Sequence, residues 1–534
     1  MKALSWLIVF GGVCGFFSMP EAKAAPKILV YCSEASPSTF NPQLGSDGPT
    51  FTAASSTIYN RLIEFKYGTT DLIPALAQSW KVSKDGKTYT FQLRKDVSFH
   101  STDFFKPTRK MNADDVIFSF ERMRDKNNPF HNVSGGAYEY FKSIGLDALI
   151  AGVEKKSDHT VVFQLTHPHA PFLTDLATNF AVVLSKEYAD QLLKNKTLEK
   201  MDTDPVGTGP FKLVRYVKDA TIRFSANKDY FRGAPKLDGI VFAITPDPSV
   251  RFQKLKTGEC QLIAEPAPTD IKAMEKLPQL QVLHEPGLNI GYLAMNVEKA
   301  PLNKPEVRRA LALAMNRKEY LHLIYLDTAE LAKNPIPPTL WSYDAGIKDI
   351  PYDVKAAKEL LKKAGYEKGL NLELWTLPVS RPYNPNGKKM GELMQADLAK
   401  VGVNLKLVTY DWPTYLDKGR RGEGQLMQMG WISDTGDPDN FFGNLLTCKA
   451  KEGGSNYAQW CNKDFDREVS AAEKTLNKSQ RISHYKKAQA IFARELPWVP
   501  LAHASVYRAI SKKLKGYKIN PIGVEEFYPL DLAQ

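Results

Sequence analysis

The stretch LELWTLPVSRPYNPNGKKMGELMQADLAKVGVNLKLVTY, from Leu372 to Tyr410, reads as strand, helix, strand. Leu372 to Leu377 is an apolar run of strand length, a helix follows near Lys388 to Val401, and Val403 to Tyr410 is a second strand. That order predicts α/β architecture for this half of the chain. Between the first strand and the helix, Leu377 to Asn386 carries three prolines, which hold it extended and rigid. One arginine, Arg381, stands in that loop. A guanidinium fork on a rigid loop suits recognition of a carboxylate. A surface ion pair is the plainer reading of the same residue.

Downstream, QLMQMGWISDTGDPDNFF runs from Gln425 to Phe442. An apolar strand ends in Trp431, and Asp434, Asp437 and Asp439 follow at once. Asp437-Pro438-Asp439 fits a turn and helix cap. Asp434 lies where the strand leaves the core, and a carboxylate there is costly unless paired. Spacing alone favours a capped turn for Asp434. A calcium loop starting there fails, because its third position is Gly436.

Upstream, Lys27 to Tyr31 reads as a strand, and Ser79 to Leu93 as a hairpin around Asp85-Gly86. Asn112 with Asp115 reads as a helix cap with an acidic third residue. Leu302 to Tyr325 and Tyr352 to Gly365 read as helices, and Ile290 to Met295 as a strand. Glu285-Pro286-Gly287 marks a domain crossover. Gly207-Thr208-Gly209 lacks the rest of any phosphate-binding fingerprint and reads as a turn. His167-Pro168-His169 reads as a strand-end turn rather than a metal pair. No HExxH or GxSxG motif occurs.

The 534 residues are 43% hydrophobic and 24% charged, enough for two or three domains. Lys2, the apolar run Leu4 to Met19 and Ala22-Lys23-Ala24 form an export signal, with cleavage expected after Ala24. Cys14 leaves with it, and the bulky Val13 before it argues against a lipoprotein. Four cysteines remain. In an oxidising compartment Cys448 should pair with Cys461, and Cys32 then with Cys260. A zinc site is the rival reading, but no Cys-x-x-Cys occurs. The formal charge is +12, of which the leader holds +1. The lysines are scattered among acids, and no nucleic-acid-binding motif accompanies them.

Leu76-Ala77-Gln78-Ser79-Trp80, Asp85 to Phe91, Leu93-Arg94, Asn112 to Val116, Gly207 to Phe211 and Val307 to Ala310 resemble the signature of the periplasmic peptide-binding proteins of ABC importers, solute-binding protein family 5. The resemblance covers essentially the whole mature chain. It is closest to the dipeptide-binding subgroup, which Arg381 to Asn386 and Gly430 to Phe442 match in type and spacing. It implies a two-lobed α/β binding protein (type II, cluster C) with a hinge between lobes and an extra subdomain in lobe one. The expected boundaries are 25–286 plus 505–534 for lobe one and 287–504 for lobe two. It implies that Asp434 holds a peptide ammonium and Arg381 a peptide carboxylate. Trp431, Gly430 and Tyr383 complete the ligand contacts, and the four cysteines match the subgroup's two disulfides. A dipeptide is a zwitterion of fixed length, so two opposite charges at a set distance measure it.

The expected partners are a dipeptide or short peptide and an inner-membrane ABC permease. A chemoreceptor is left open. A monomer without cofactor, metal or nucleic acid is expected. Haem, 5-aminolevulinate, glutathione or antimicrobial peptides are alternative ligands of the same fold. An exported hydrolase using Asp434 as base is the rival class, but no motif supplies a partner nucleophile. In Gly48-Pro49-Thr50, where lobe one can add backbone hydrogen bonds, Pro49 lacks an N–H.

Overall fold

The strand–helix–strand unit is present in the computed structural model, which describes residues 25–533 apart from Ser46 and Gly453. The export signal and its cleavage site lie outside the described residues. Strands Leu370–Trp375 and Val403–Val408 pair in parallel, with helix Gly387–Ala399 between them in the chain. Strand Leu426–Ile432 pairs in parallel with the first of these, and strand Asn289–Met295 runs antiparallel beside it. Every residue of Asn289–Met295 is buried, because both faces of the sheet are covered. Leu293 and Met295 enter a core shared with Val307, Leu361 and Met394 from three helices. Ile290, Tyr292 and Ala294 enter an aromatic core with Trp375, Phe442, Tyr485 and Trp498.

The expected helix Leu302 to Tyr325 is two helices, Pro305–Ala314 and Arg317–Ile324. Asp397 of the neighbouring helix causes the break. Its Oδ2 accepts the backbone N–H of Asn316 at 2.8 Å and the Tyr320 hydroxyl at 2.7 Å, drawing the chain out of helical register.

The other lobe is built on strand Ile28–Ser33, parallel to Gly239–Ile244 and to Leu262–Ile263. A separate antiparallel sheet forms the additional subdomain: Ala77–Val82, Thr88–Leu93, Thr160–Leu165 and Ile150–Ser157, in that spatial order. Its hairpin turns through Gly86 at φ +69°, as the Asp-Gly pair requires. Helix Ala113–Arg124 starts in the expected capping box of Asn112 and Asp115. The Gly207-Thr208-Gly209 turn packs on the Ile58 backbone. A Cβ on Gly207 would lie 2.0 Å from Ile58 O, so the glycines serve close approach.

One strand, Trp498–Ser511, belongs to both lobes. Residues up to Ala504 pair with Asn289–Met295 and Ala329–Leu331, whereas Ser505 onward pairs with Leu280–Pro286 and Leu262–Ile263. Asn289 clamps the changeover. Its side chain donates to Ala504 O and accepts from Ala504 N, both at 2.8 Å. His503 donates from Nδ1 to Asn289 O at 2.8 Å, and burial lowers its pKa to about 4, so it stays neutral.

Cys32 lies against Cys260 and Cys448 against Cys461, with Cα–Cα distances of 5.9 and 4.4 Å, within the range of bonded pairs. Non-reducing peptide mapping of the exported protein is expected to find these two linkages and no free thiol. Replacing Cys448 and Cys461 by serine should cost about 3 kcal/mol of stability in urea, because the unfolded chain regains a short loop's freedom.

Candidate functional site

A cavity of about 2050 Å³ lies between the lobes. Two loops at the ends of neighbouring strands supply the expected site residues. Arg381, Tyr383, Gly430, Trp431 and Asp434 all line it.

The proline-rich loop closes on itself. Arg381 and Asn384 exchange backbone hydrogen bonds of 3.1 and 3.0 Å, and Asn386 caps the helix that follows. Tyr383 fastens this turn to the sheet. Gly291 and Gly430 face each other across neighbouring strands and leave a bare patch. Tyr383 occupies that patch. A Cβ on Gly430 would lie 2.1 Å from its ring, and one on Gly291 would lie 2.3 Å from its carbonyl oxygen. The Tyr325 hydroxyl donates to the same carbonyl at 2.6 Å. Gly430 therefore seats the tyrosine that steadies Arg381. The Arg381 guanidinium lies 5.3 Å over the Trp412 ring and has no carboxylate partner among the described residues.

Asn440 organises the second loop. Its Oδ1 accepts from Trp431 Nε1 at 2.8 Å and from Ser433 Oγ and the Asp434 N–H, both at 3.2 Å. The Asp437 carboxylate accepts the N–H of Asp439 at 3.0 Å, which starts helix Asp439–Leu446. It also meets Arg481 through two bonds of 2.7 and 2.8 Å in a buried, charge-matched pair. Asp437 thus builds the loop, as its spacing suggested. Asp439 is the first residue of that helix and makes no capping bond with its side chain among the described residues. It is packed beside Glu473, and burial together with the like charge of Glu473 pushes its carboxyl well above the usual range.

Asp434 is different. No cation pairs with it among the described residues, and burial raises its pKa to about 6, partly offset by Tyr140 and Asn440. Tyr140 comes from the opposite lobe, and its hydroxyl feels the Asp434 charge without a hydrogen bond of ordinary geometry. Tyr140 and Trp412 also line the cavity and were not singled out from the sequence. Their only local signal is an aromatic residue on a short helix, which packing explains equally well. Gly48 and Pro49 line it too, in a turn capped by Asp47. His169 pairs with Asp175 at 3.1 Å, within the turn expected there.

The family model for bacterial extracellular solute-binding proteins, family 5, matches residues 71–453. The chain belongs to this family. As a family 5 protein it is 50% identical to the dipeptide-binding protein of Escherichia coli K12 over 506 residues, 95% of each chain. It is 44% identical to heme-binding protein A of Haemophilus influenzae over 509 residues, 95% of this chain and 93% of that one. Among solved structures it resembles a dipeptide-binding protein of a Pseudoalteromonas species in complex with Met-Leu. That likeness has a TM-score of 0.85 at 40% identity and covers 95% of this chain and 100% of the other. The family is one of solute-binding proteins, and the two-lobed fold is the one expected from the sequence motifs. Among the described residues, no helix is long and apolar enough to cross a membrane.

Breaking the pair beneath the Asp434 loop should be costly. Arg481→Met leaves Asp437 buried without its cation and is expected to lower stability by about 3–5 kcal/mol. Urea denaturation checks this, and adding Asp437→Asn should recover part of the loss.

Proposed function

We propose that this family 5 protein binds dipeptides or short peptides in the interlobe cavity and delivers them to an inner-membrane ABC permease. One observation carries the reading. A single cavity presents an anion and a cation, Asp434 and Arg381, each without an opposite charge among the described residues. A peptide zwitterion supplies both missing charges. In this reading Asp434 takes the ammonium, Arg381 takes the carboxylate, and Trp431 lies beside the peptide backbone. The cavity exceeds the roughly 300–1,000 Å³ of ordinary small-ligand pockets, which leaves room for varied side chains and water. The names of the dipeptide-binding relatives support the same class. The export signal, with cleavage after Ala24, would place the protein in the periplasm. That cavity size, with the haem-binding relative, makes haem the second ligand to test, by a Soret band on mixing.

Calorimetry with one dipeptide and its blocked forms tests the anchors. N-acetylation should weaken binding by about 3–5 kcal/mol, because it leaves Asp434 desolvated and unpaired. C-amidation should do the same at Arg381. Asp434→Asn and Arg381→Met should each weaken binding by about 1.5–3 kcal/mol with the fold intact. An ammonium needs the ionised form of Asp434, whose pKa burial raises to about 6. Affinity should therefore be full above that pH and fall by up to about tenfold per unit below it. Equal affinity across the free and blocked peptides would remove the reading, as would release of free amino acids.

Closure is part of the proposal. Residues 287–504 would swing against 25–286 plus 505–534 about the two crossings. Small-angle scattering should record a smaller radius of gyration with saturating dipeptide than without it.

A further inference from the structure

We infer that the cleft favours peptides whose C-terminal residue carries a second carboxylate, and that Arg420 reads it. This rests on the peptide reading above and adds a side-chain preference to it.

Helix Trp412–Arg420 places Trp412, Leu416 and Arg420 one turn apart on one stripe, and all three line the cavity. Arg381 lies over Trp412 at the start of this stripe. Arg420 ends it, beside the Tyr457 hydroxyl, while Arg381 stands beside the Tyr383 hydroxyl. Tyr383 and Tyr457 line the same cavity and belong to one buried cluster. Gly419 permits the approach. A Cβ there would lie 2.6 Å from Met427 Cε and 2.9 Å from the Tyr457 ring.

Neither guanidinium meets a carboxylate among the described residues. The acids nearest Arg420 in sequence are already taken: Asp417 pairs with Arg421, and Glu423 with Lys418 and Arg421. A terminal carboxylate neutralises one of the two cations and leaves the other. A glutamate side chain on the same ligand residue neutralises the second. A glutamine of the same shape does not. At the other anchor the cavity wall holds Asp434 without a cation partner among the described residues, which disfavours an acidic side chain on the N-terminal residue. The preference therefore has a direction along the peptide.

Calorimetry on the full mature chain with Ala-Ala, Ala-Glu, Ala-Gln and Glu-Ala decides the matter, repeated with Arg420→Gln. The Arg420 side chain is exposed at a helix end, so the variant should fold. Ala-Glu is expected to bind about tenfold tighter than Ala-Gln, and Glu-Ala more weakly than either. In Arg420→Gln the ratio of Ala-Glu to Ala-Gln should fall to near one, while Ala-Ala affinity changes less than about twofold. A ratio near one in the wild type overturns the inference, and so does a ratio that survives Arg420→Gln. Equal losses of Ala-Ala and Ala-Glu in the variant also overturn it, because Arg420 would then hold the terminal carboxylate. Failure of all four peptides to bind would overturn the peptide reading and this inference with it. Binding of Ala-Ala without the acidic preference removes this inference alone.

Discussion

The chain must enter and leave its second lobe at one seam, and the Asn289 clamp meets that constraint. Where Trp498–Ser511 changes partners, one ladder ends and the next begins, and at Ala504 only the C=O finds a backbone donor there, the Gly287 N–H at 3.2 Å. Buried backbone groups without partners are expensive. The Asn289 amide accepts the Ala504 N–H and adds a second donor to its C=O, and neutral His503 donates to the Asn289 backbone carbonyl. The lobes thus share one continuous strand without sharing one core: Leu29 and Phe242 belong to one cluster, Leu293 and Val499 to another.

The site differs from its surroundings in how charge is matched. Asp437 and Arg481 are buried together with two good hydrogen bonds, so their pair is complete without ligand. Asp434 lies three residues away in the chain and has no such cation. Burial without a cation raises its pKa to about 6. The same backbone turn thus carries one aspartate that supports the loop and one that is left available. Arg381 mirrors this in the neighbouring loop, held over an aromatic face instead of a carboxylate.

The loops of Asp434 and Arg381 are mechanically connected through glycine. Gly430 belongs to the strand that carries Trp431 and leads to Asp434, and it seats Tyr383, which belongs to the loop of Arg381. The distance between anion and cation is therefore set by a ring packed on a sheet rather than by flexible loop ends. Binding groups held this way need little ordering when a ligand arrives.

Strand and helix periodicity, the proline loop, the Asp-Gly hairpin and the capping box at Asn112 are local, because neighbours along the chain determine them. They were legible in the sequence, as were the α/β class and the family through its motifs. The motif match also pointed to Asp434 and Arg381, whereas spacing alone favoured a turn at Asp434. The break at Asn316 was not legible, because its cause is Asp397, some eighty residues on. Nor was the role of Gly430, which depends on a cross-strand glycine and a ring from a third segment, nor the approach of Tyr140 from the opposite lobe. A sequence records which side chains are charged, but only the tertiary structure decides which charges find partners. Burial raises the cost of an unmatched charge, and the fold alone determines where burial occurs.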